Sequence, residues 1–322
     1  MKGKLGTAPL LLRPILDTYM DSAVAVVGCT SSGIARYSCE FDVLVVGSEK
    51  RQQTSIRIGD EFVDLMFTTE KEVLKPASPE HALALAWAKP VRDTSLILST
   101  SSAASSATLS ESAAKASRTR LASSLKSLGR AEVALAKKNT VDADFWLLAS
   151  AYEFGYAWLL SKEVPPSPSH LLAQLRSAKG APRSFEGVSI GGGLEAAGRA
   201  GCGARLEGLG VLHDLLREGS RGGSPDSRRQ PVRTQILTAK AGELITRVEL
   251  AECYSFLGQE LVDGVMELLR LHPKKTLTTL TSGKDRLLGE RLVRQLGLAR
   301  TEDAIRSGLE VLKGQVGALA KS

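Results

Sequence analysis

Gly28–Val46 reads GCTSSGIARYSCEFDVLVV, and the kind of domain the first part of the chain forms is decided there. Phe41–Val46 is a short apolar run rich in β-branched residues and stopped by Gly47-Ser48, which predicts a buried strand. Glu40 and Asp42 stand at i and i+2, so on a strand both carboxylates point to one face. Phe41, Val43 and Val45 then point to the other, into a core. Just upstream, Ala23–Val27 is a second apolar run of the same kind, ending at Gly28. The six residues Gly28-Cys29-Thr30-Ser31-Ser32-Gly33 follow it and lead into a helix. Small residues at such a turn let backbone N–H groups and short side chains approach phosphate oxygens.

Downstream, Thr54–Ile58 and Glu61–Phe67 flank Gly59-Asp60, which predicts a hairpin. Asp64 interrupts the apolar run Phe62-Val63-Asp64-Leu65-Met66-Phe67. A carboxylate inside such a strand is costly unless it is paired or binds a cation. If this strand neighbours Phe41–Val46, Glu40, Asp42 and Asp64 share one patch. At about 5 Å and an effective dielectric near 20, each pair of carboxylates repels by roughly 3 kcal/mol. A divalent cation removes that cost. Mg²⁺ suits hard oxygen ligands and triphosphates, and two such ions can align an attacking hydroxyl with an α-phosphate for in-line displacement.

The combination resembles the signature of the polymerase-beta-type nucleotidyltransferases, in particular the minimal prokaryotic and archaeal members. Their usual form is G-S-x-A-R-G-x₆-D-x-D followed by apolar residues. Gly28, Gly33, Glu40 and Asp42 fall at the matching spacing, and Asp64 matches the third family carboxylate on a later strand. The resemblance implies an α/β (α+β) fold with a small mixed sheet, carrying Glu40, Asp42 and Asp64 as catalytic metal ligands. It also implies Gly28, Cys29, Ser32, Gly33 and Arg36 around the nucleotide. The implied reaction is Mg²⁺-dependent, on a two-metal site, and transfers a nucleoside monophosphate from an NTP, with ATP the expected one. The acceptor would be a protein, an RNA or a small molecule. Several positions depart from the pattern, among them Cys29 for the family's Ser, Ser32 for its Arg and Glu40 for its first Asp. Losing the Arg removes a charge near the triphosphate. The alternative is therefore a catalytically degenerate domain that acts as a nucleotide-, RNA- or protein-binding module.

Around this core the chain is predicted to be helical. Leu11, Leu12, Ile15, Leu16 and Tyr19 predict a short amphipathic helix over Pro9–Met20. Beyond about residue 75 no stretch predicts a strand, so the sheet domain (1–98) should be followed by an all-α region. Residues 99–117 form a Ser/Ala-rich tract, expected as a linker or the weakly held start of a helix. Helices are then predicted over Arg118–Lys137, from Asp142 or Asp144 as N-cap to Leu160, and over His170–Ser177. Residues 118–180 resemble the HEPN type of helical domain, through the helix with Tyr152, Glu153 and Tyr156 and the Pro165–Pro168 stretch that follows. No Arg stands four to six residues before His170, so the ribonuclease motif of that type is not formed. His170 reads as a helix-start residue, and Tyr152 and Tyr156 as core or groove aromatics. A Gly-rich linker is expected at 181–204 and a C-terminal helical region at 205–322. That last region should hold helices at Leu206–Arg217, over the amphipathic Val232–Leu271, over Lys284–Leu296 and from Thr301, with a polar loop at Glu218–Pro231.

Charge is unevenly distributed. Residues 1–100 carry 11 Lys and Arg against 12 Asp and Glu, and the remainder 31 against 23. A basic second part suits an anionic substrate such as a nucleotide or RNA, or is a solvated helical surface. The four cysteines contain no C-x-x-C pair, so neither a zinc site nor a disulfide scaffold is indicated. No apolar run reaches the ~18–20 residues a membrane span needs. No membrane partner is expected, the location read is cytoplasmic, and the helical region could mediate a homo-oligomer.

Overall fold

The computed structural model describes residues 4–36, 38–47, 53–178, 182–218, 231–272, 276–281 and 286–321. The chain divides into two compact units. The first comprises Met1–Ala116 with Pro225–Ile236, and the second Ser117–Ser224 with Leu237–Ser322. No described helix is long and apolar enough to cross a membrane.

The first unit is an α+β domain built on a five-stranded mixed sheet. It opens with helices α1 (Lys4–Leu11) and α2 (Arg13–Thr18). The single helix predicted over Pro9–Met20 is thus two, because Pro14 in the first turn of α2 starts a new helix more readily than it continues an old one. Strand β1 (Ala23–Val27), helix α3 (Gly28–Ser31) and strand β2 (Phe41–Gly47) follow, then the hairpin strands β3 (Thr54–Ile58) and β4 (Glu61–Thr69). These strands lie where the apolar runs predict them. Helices α4 (Glu70–Leu74) and α5 (Pro79–Ala86) precede β5 (Lys89–Arg92). The strand order is β3-β4-β2-β1-β5, and β2–β4 is the parallel pair, the other three neighbours being antiparallel.

Strand β5 corrects the expectation that no strand lies beyond residue 75. Its sequence, Lys-Pro-Val-Arg, lacks an apolar alternation, and Pro90 cannot donate to a ladder. It survives as an edge strand against β1, with a register shift between Val24 and Ala25. Arg92 also anchors it, donating to the carbonyls of Ser22 (3.0 Å) and Leu16 (2.7 Å).

The period-two pattern of the strands sorts their side chains onto two cores. Val24, Val26, Phe41, Val43, Val45, Val63 and Leu65 pack with Leu12 and Ile15 beneath α1 and α2. Ala25, Val27, Leu44 and Val46 face the other way, with Val73, Leu85 and Leu98.

The Ser/Ala-rich tract is helix throughout rather than linker: α6 (Ile97–Ala107) is followed after one residue by α7 (Leu109–Ala136). Its serines help to hold it. Ser101 donates to the Val73 carbonyl (2.7 Å), while Ser102 and Ser106 reach the Ala86 carbonyl at 3.5 and 3.4 Å. A tract with few large apolar residues can still pack closely when its hydroxyls find carbonyls at helix ends.

The second unit is all-α among the described residues. Beyond α7 come α8 (Thr140–Leu160), α9 (Leu171–Ser177), α10 (Pro182–Gly191), α11 (Arg199–Glu218), α12 (Pro231–Thr246, of which the residues up to Ile236 belong to the first unit), α13 (Leu250–Leu271), α14 (Leu277–Thr281), α15 (Arg286–Gln295) and α16 (Glu302–Ala320). The cap of α8 is Asn139, accepting from the Asp142 N–H at 3.1 Å, not Asp142 or Asp144. Both aspartates are buried inside the helix and used elsewhere: Asp142 accepts from the Leu277 N–H (2.9 Å) and Asp144 pairs with Arg300. The Gly-rich 181–204 stretch is likewise helical over most of its described length. Gly191 explains why glycine serves there: a Cβ at that position would lie 2.8 Å from the Ala151 Cβ, so α10 meets α8 at a distance closed to other residues. Val232–Leu271 is two helices, broken where Val248 takes a left-handed backbone (φ 61°). Thr301 caps α16 as predicted, accepting from the Ala304 N–H at 3.3 Å. Tyr152 and Tyr156 are core residues, Tyr152 donating to the Ser255 carbonyl (2.9 Å). Most of the loop predicted over Glu218–Pro231 lies outside the described residues.

Candidate metal and nucleotide site

Parallel pairing of β2 with β4 brings the acidic residues together. Asp42 is the register partner of Asp64, and both side chains leave the sheet on the face opposite Phe41, Val43, Val63 and Leu65. Glu40 immediately precedes β2 and completes the group. One carboxylate oxygen from each of Glu40, Asp42 and Asp64 lies within 4.8 Å of the others. Glu40 and Asp64 are buried, at 7% and 5% exposure, and Asp42 is partly so. Three carboxylates this close are a set of hard oxygen donors. Opposite ligands of one Mg²⁺, each at about 2.1 Å, would stand roughly 4.2 Å apart, so the donor set fits such an ion with little side-chain movement.

The turn before the trio is shaped around it. Gly28 has φ +68°, in the left-handed region, and a Cβ there would collide with the Asp42 carboxylate. A glycine is therefore required at the end of β1 both by backbone conformation and by the close approach to Asp42. Cys29, Thr30 and Ser31 are buried in the single turn of α3. The hydroxyls of Ser31 and Ser32 each donate to the Gly28 carbonyl at 3.0 Å, fixing the turn from within. Gly33 ends it with φ +78°. Arg36 lies farther along, in a turn closed by the Cys39 N–H on the Arg36 carbonyl (3.2 Å) and the Arg36 N–H on the Cys39 sulfur (3.3 Å). The cysteines are free thiols, all buried.

A fourth residue joins the site that its sequence context did not mark. Arg233, in the first turn of α12 and within the segment that belongs to the first unit, places its Nη1 3.9 Å from Glu40 Oε1 and 3.9 Å from Asp64 Oδ2. Its side chain is 16% exposed. It ends the Arg-rich stretch Arg217–Arg233, which composition reads as a solvated loop. No local signal separates Arg233 from the other arginines there.

No protein-family model and no curated protein matches the sequence. Among solved structures the chain is similar to a nucleotidyltransferase-like protein from Exiguobacterium sibiricum 255-15, at 12% identity and a TM-score of 0.35, over 90% of this chain and 88% of that one.

Proposed function

We propose that the first unit is a divalent-cation-dependent nucleotidyltransferase, transferring a nucleoside monophosphate from an NTP, ATP being the expected one, to a hydroxyl of a protein, RNA or small-molecule acceptor. The observation that carries this is the convergence of Glu40, Asp42 and Asp64, the first and last of them buried, on one side of the sheet. These three would hold Mg²⁺, which when bound supplies Lewis-acid charge to the triphosphate and the acceptor oxygen. Pairing across β2 and β4 fixes Asp42 and Asp64 on rigid backbone, so little reorganisation is needed at the moment of reaction. Gly28 lets the main chain pass directly over Asp42, and the Gly28–Gly33 turn with Cys29 and Ser32 would lie beside the phosphates, with Arg36 beyond it. In the step itself the acceptor oxygen forms a bond to the α-phosphorus and the bond to the bridging oxygen breaks. Pyrophosphate leaves with that electron pair, and the hydroxyl proton passes to a carboxylate of the trio.

The alternative, a degenerate module that binds nucleotide, RNA or protein without turnover, is favoured by one observation. Arg233 already stands near two of the three carboxylates. Asp42→Asn separates the two. In the enzyme it lowers nucleotide transfer at least a thousandfold while the circular dichroism spectrum is retained, and Mg²⁺ with an NTP raises the melting temperature of wild type but not of the variant. Equal turnover in wild type and Asp42→Asn would remove the trio from the chemistry. No shift of the wild type with any of the four NTPs would favour a module that does not bind nucleotide.

A further inference from the structure

On the metal-site reading above, we infer that Arg233 is the internal counter-cation of the acidic trio and competes with the divalent cation for it, so that metal loading requires the guanidinium to withdraw. Nη1 of Arg233 is 3.9 Å from one oxygen of Glu40 and 3.9 Å from one of Asp64. These distances exceed those of charge-assisted hydrogen bonds, about 2.7–2.9 Å. They describe a charge placed between two carboxylates rather than a guanidinium locked to either. Among the described residues the three carboxylates outnumber the guanidinium, which leaves the group attractive to a divalent ion. Once that ion sits among the same oxygens, a guanidinium a few ångströms away is repelled at close range.

The position of Arg233 in the chain suits this role. It is the third residue of α12, at the end of the helix where residues 219–230 precede it, and its side chain keeps some contact with solvent. Withdrawal would move a side chain carried on the first turn of that helix. By contrast, Asp42 and Asp64 sit on paired central strands, with Glu40 immediately before one of them, and cannot readily move away.

The test is a Mn²⁺ titration of the whole chain, followed by electron paramagnetic resonance of free Mn²⁺, on wild type, Arg233→Gln, Arg233→Lys and Asp42→Asn. Removing the competing charge should tighten Mn²⁺ binding by about tenfold in Arg233→Gln, a change of about 1.4 kcal/mol. Arg233→Lys keeps the charge and should stay within about threefold of wild type. Thermal melting adds a second readout: Arg233→Gln should melt below wild type in EDTA and match it in saturating Mn²⁺. If wild type binds Mn²⁺ and Asp42→Asn does not, but Arg233→Gln binds no tighter, the competition is overturned and the metal site stands. Equal tightening in Arg233→Lys and Arg233→Gln would also overturn it, because charge would not be the cause. If none of the four proteins binds Mn²⁺, both the competition and the metal site fall.

Discussion

Asp144 in the second unit and Asp64 in the first are both buried carboxylates, at 1% and 5% exposure, but their cations are placed differently. Arg300 meets Asp144 with Nε at 2.6 Å, Nη2 at 2.5 Å and its own backbone N–H at 3.1 Å. The same guanidinium reaches the carbonyls of Ile190 (2.7 Å) and Gly191 (3.0 Å). This is a closed structural pair, with the hydrogen bonds a desolvated ion pair needs to offset its burial. Asp64 instead shares its surroundings with two other acids, and Arg233 stands 3.9 Å away. A pair that exists for stability is short and many-bonded. The proposed exchange of Arg233 for a metal ion rests on the longer separations, 3.9 Å from both Glu40 and Asp64.

The largest effect that could break this contrast is on the structural pair. Asp144→Ala leaves the Arg300 charge buried and should cost about 3–5 kcal/mol, read as a lower denaturant midpoint in the helical circular dichroism signal. A loss under about 1 kcal/mol would mean that Arg300 is not held as tightly as its geometry states. Next is Gly28→Ala, which combines a left-handed backbone with a collision against the Asp42 carboxylate. It should destabilise by about 1–3 kcal/mol and abolish Mn²⁺ binding. Retention of Mn²⁺ affinity would show that the turn can move off Asp42.

Asp64→Asn sharpens the comparison through its sign. In EDTA it relieves like-charge repulsion, so it should melt at or above wild type, opposite to Asp144→Ala, while losing the stabilisation Mn²⁺ confers. A large loss in EDTA would make Asp64 a structural residue like Asp144. The smallest effect concerns Asp93, another acid with a purely structural task. Partial burial opposes its ionisation, but hydrogen bonds from the Ser99 hydroxyl and from the backbone N–H groups of Ser99 and Leu98 overcome this and hold its carboxyl below the usual range. A lowered folded-state value means stability present above the unfolded value of 3.8 and lost as pH falls through the folded one. Asp93→Asn should therefore show a shallower loss of stability in acid than wild type, measured by thermal melts over that window. Parallel acid limbs for the two proteins would remove Asp93 from the pH response.

How much could be read in advance differs from element to element. The strands β1, β2 and β4 were legible as largely apolar runs bounded by turn residues, and β3 through the Gly59-Asp60 turn that joins it to β4. Glu40 and Asp42 were legible as a pair because side chains on a strand alternate. Strand β5 was not, since Lys89-Pro90-Val91-Arg92 has neither pattern and exists only because β1 offers it an edge. The Ser/Ala tract, which reads as a linker or a weakly held helix start, and the Gly-rich stretch, which reads as a linker, are hard to place for one shared reason. Small residues carry little local signal, and their value lies in the close approach they permit, as Ser101 to Val73 and Gly191 to Ala151 show.

By itself the sequence predicted that Glu40 and Asp42 share one side of a strand, that a third carboxylate interrupts another strand, and that a glycine turn precedes them; in the structure Glu40 stands just before that strand. Those are consequences of backbone sterics and period, which act over a few residues. Only the tertiary structure decided that β2 and β4 are parallel neighbours in the register that sets Asp42 against Asp64. It alone delivered Arg233, from far along the chain, to the same oxygens. Charges interact through space and are screened less where they are buried, so which cation answers which carboxylate is settled by packing and not by local pattern.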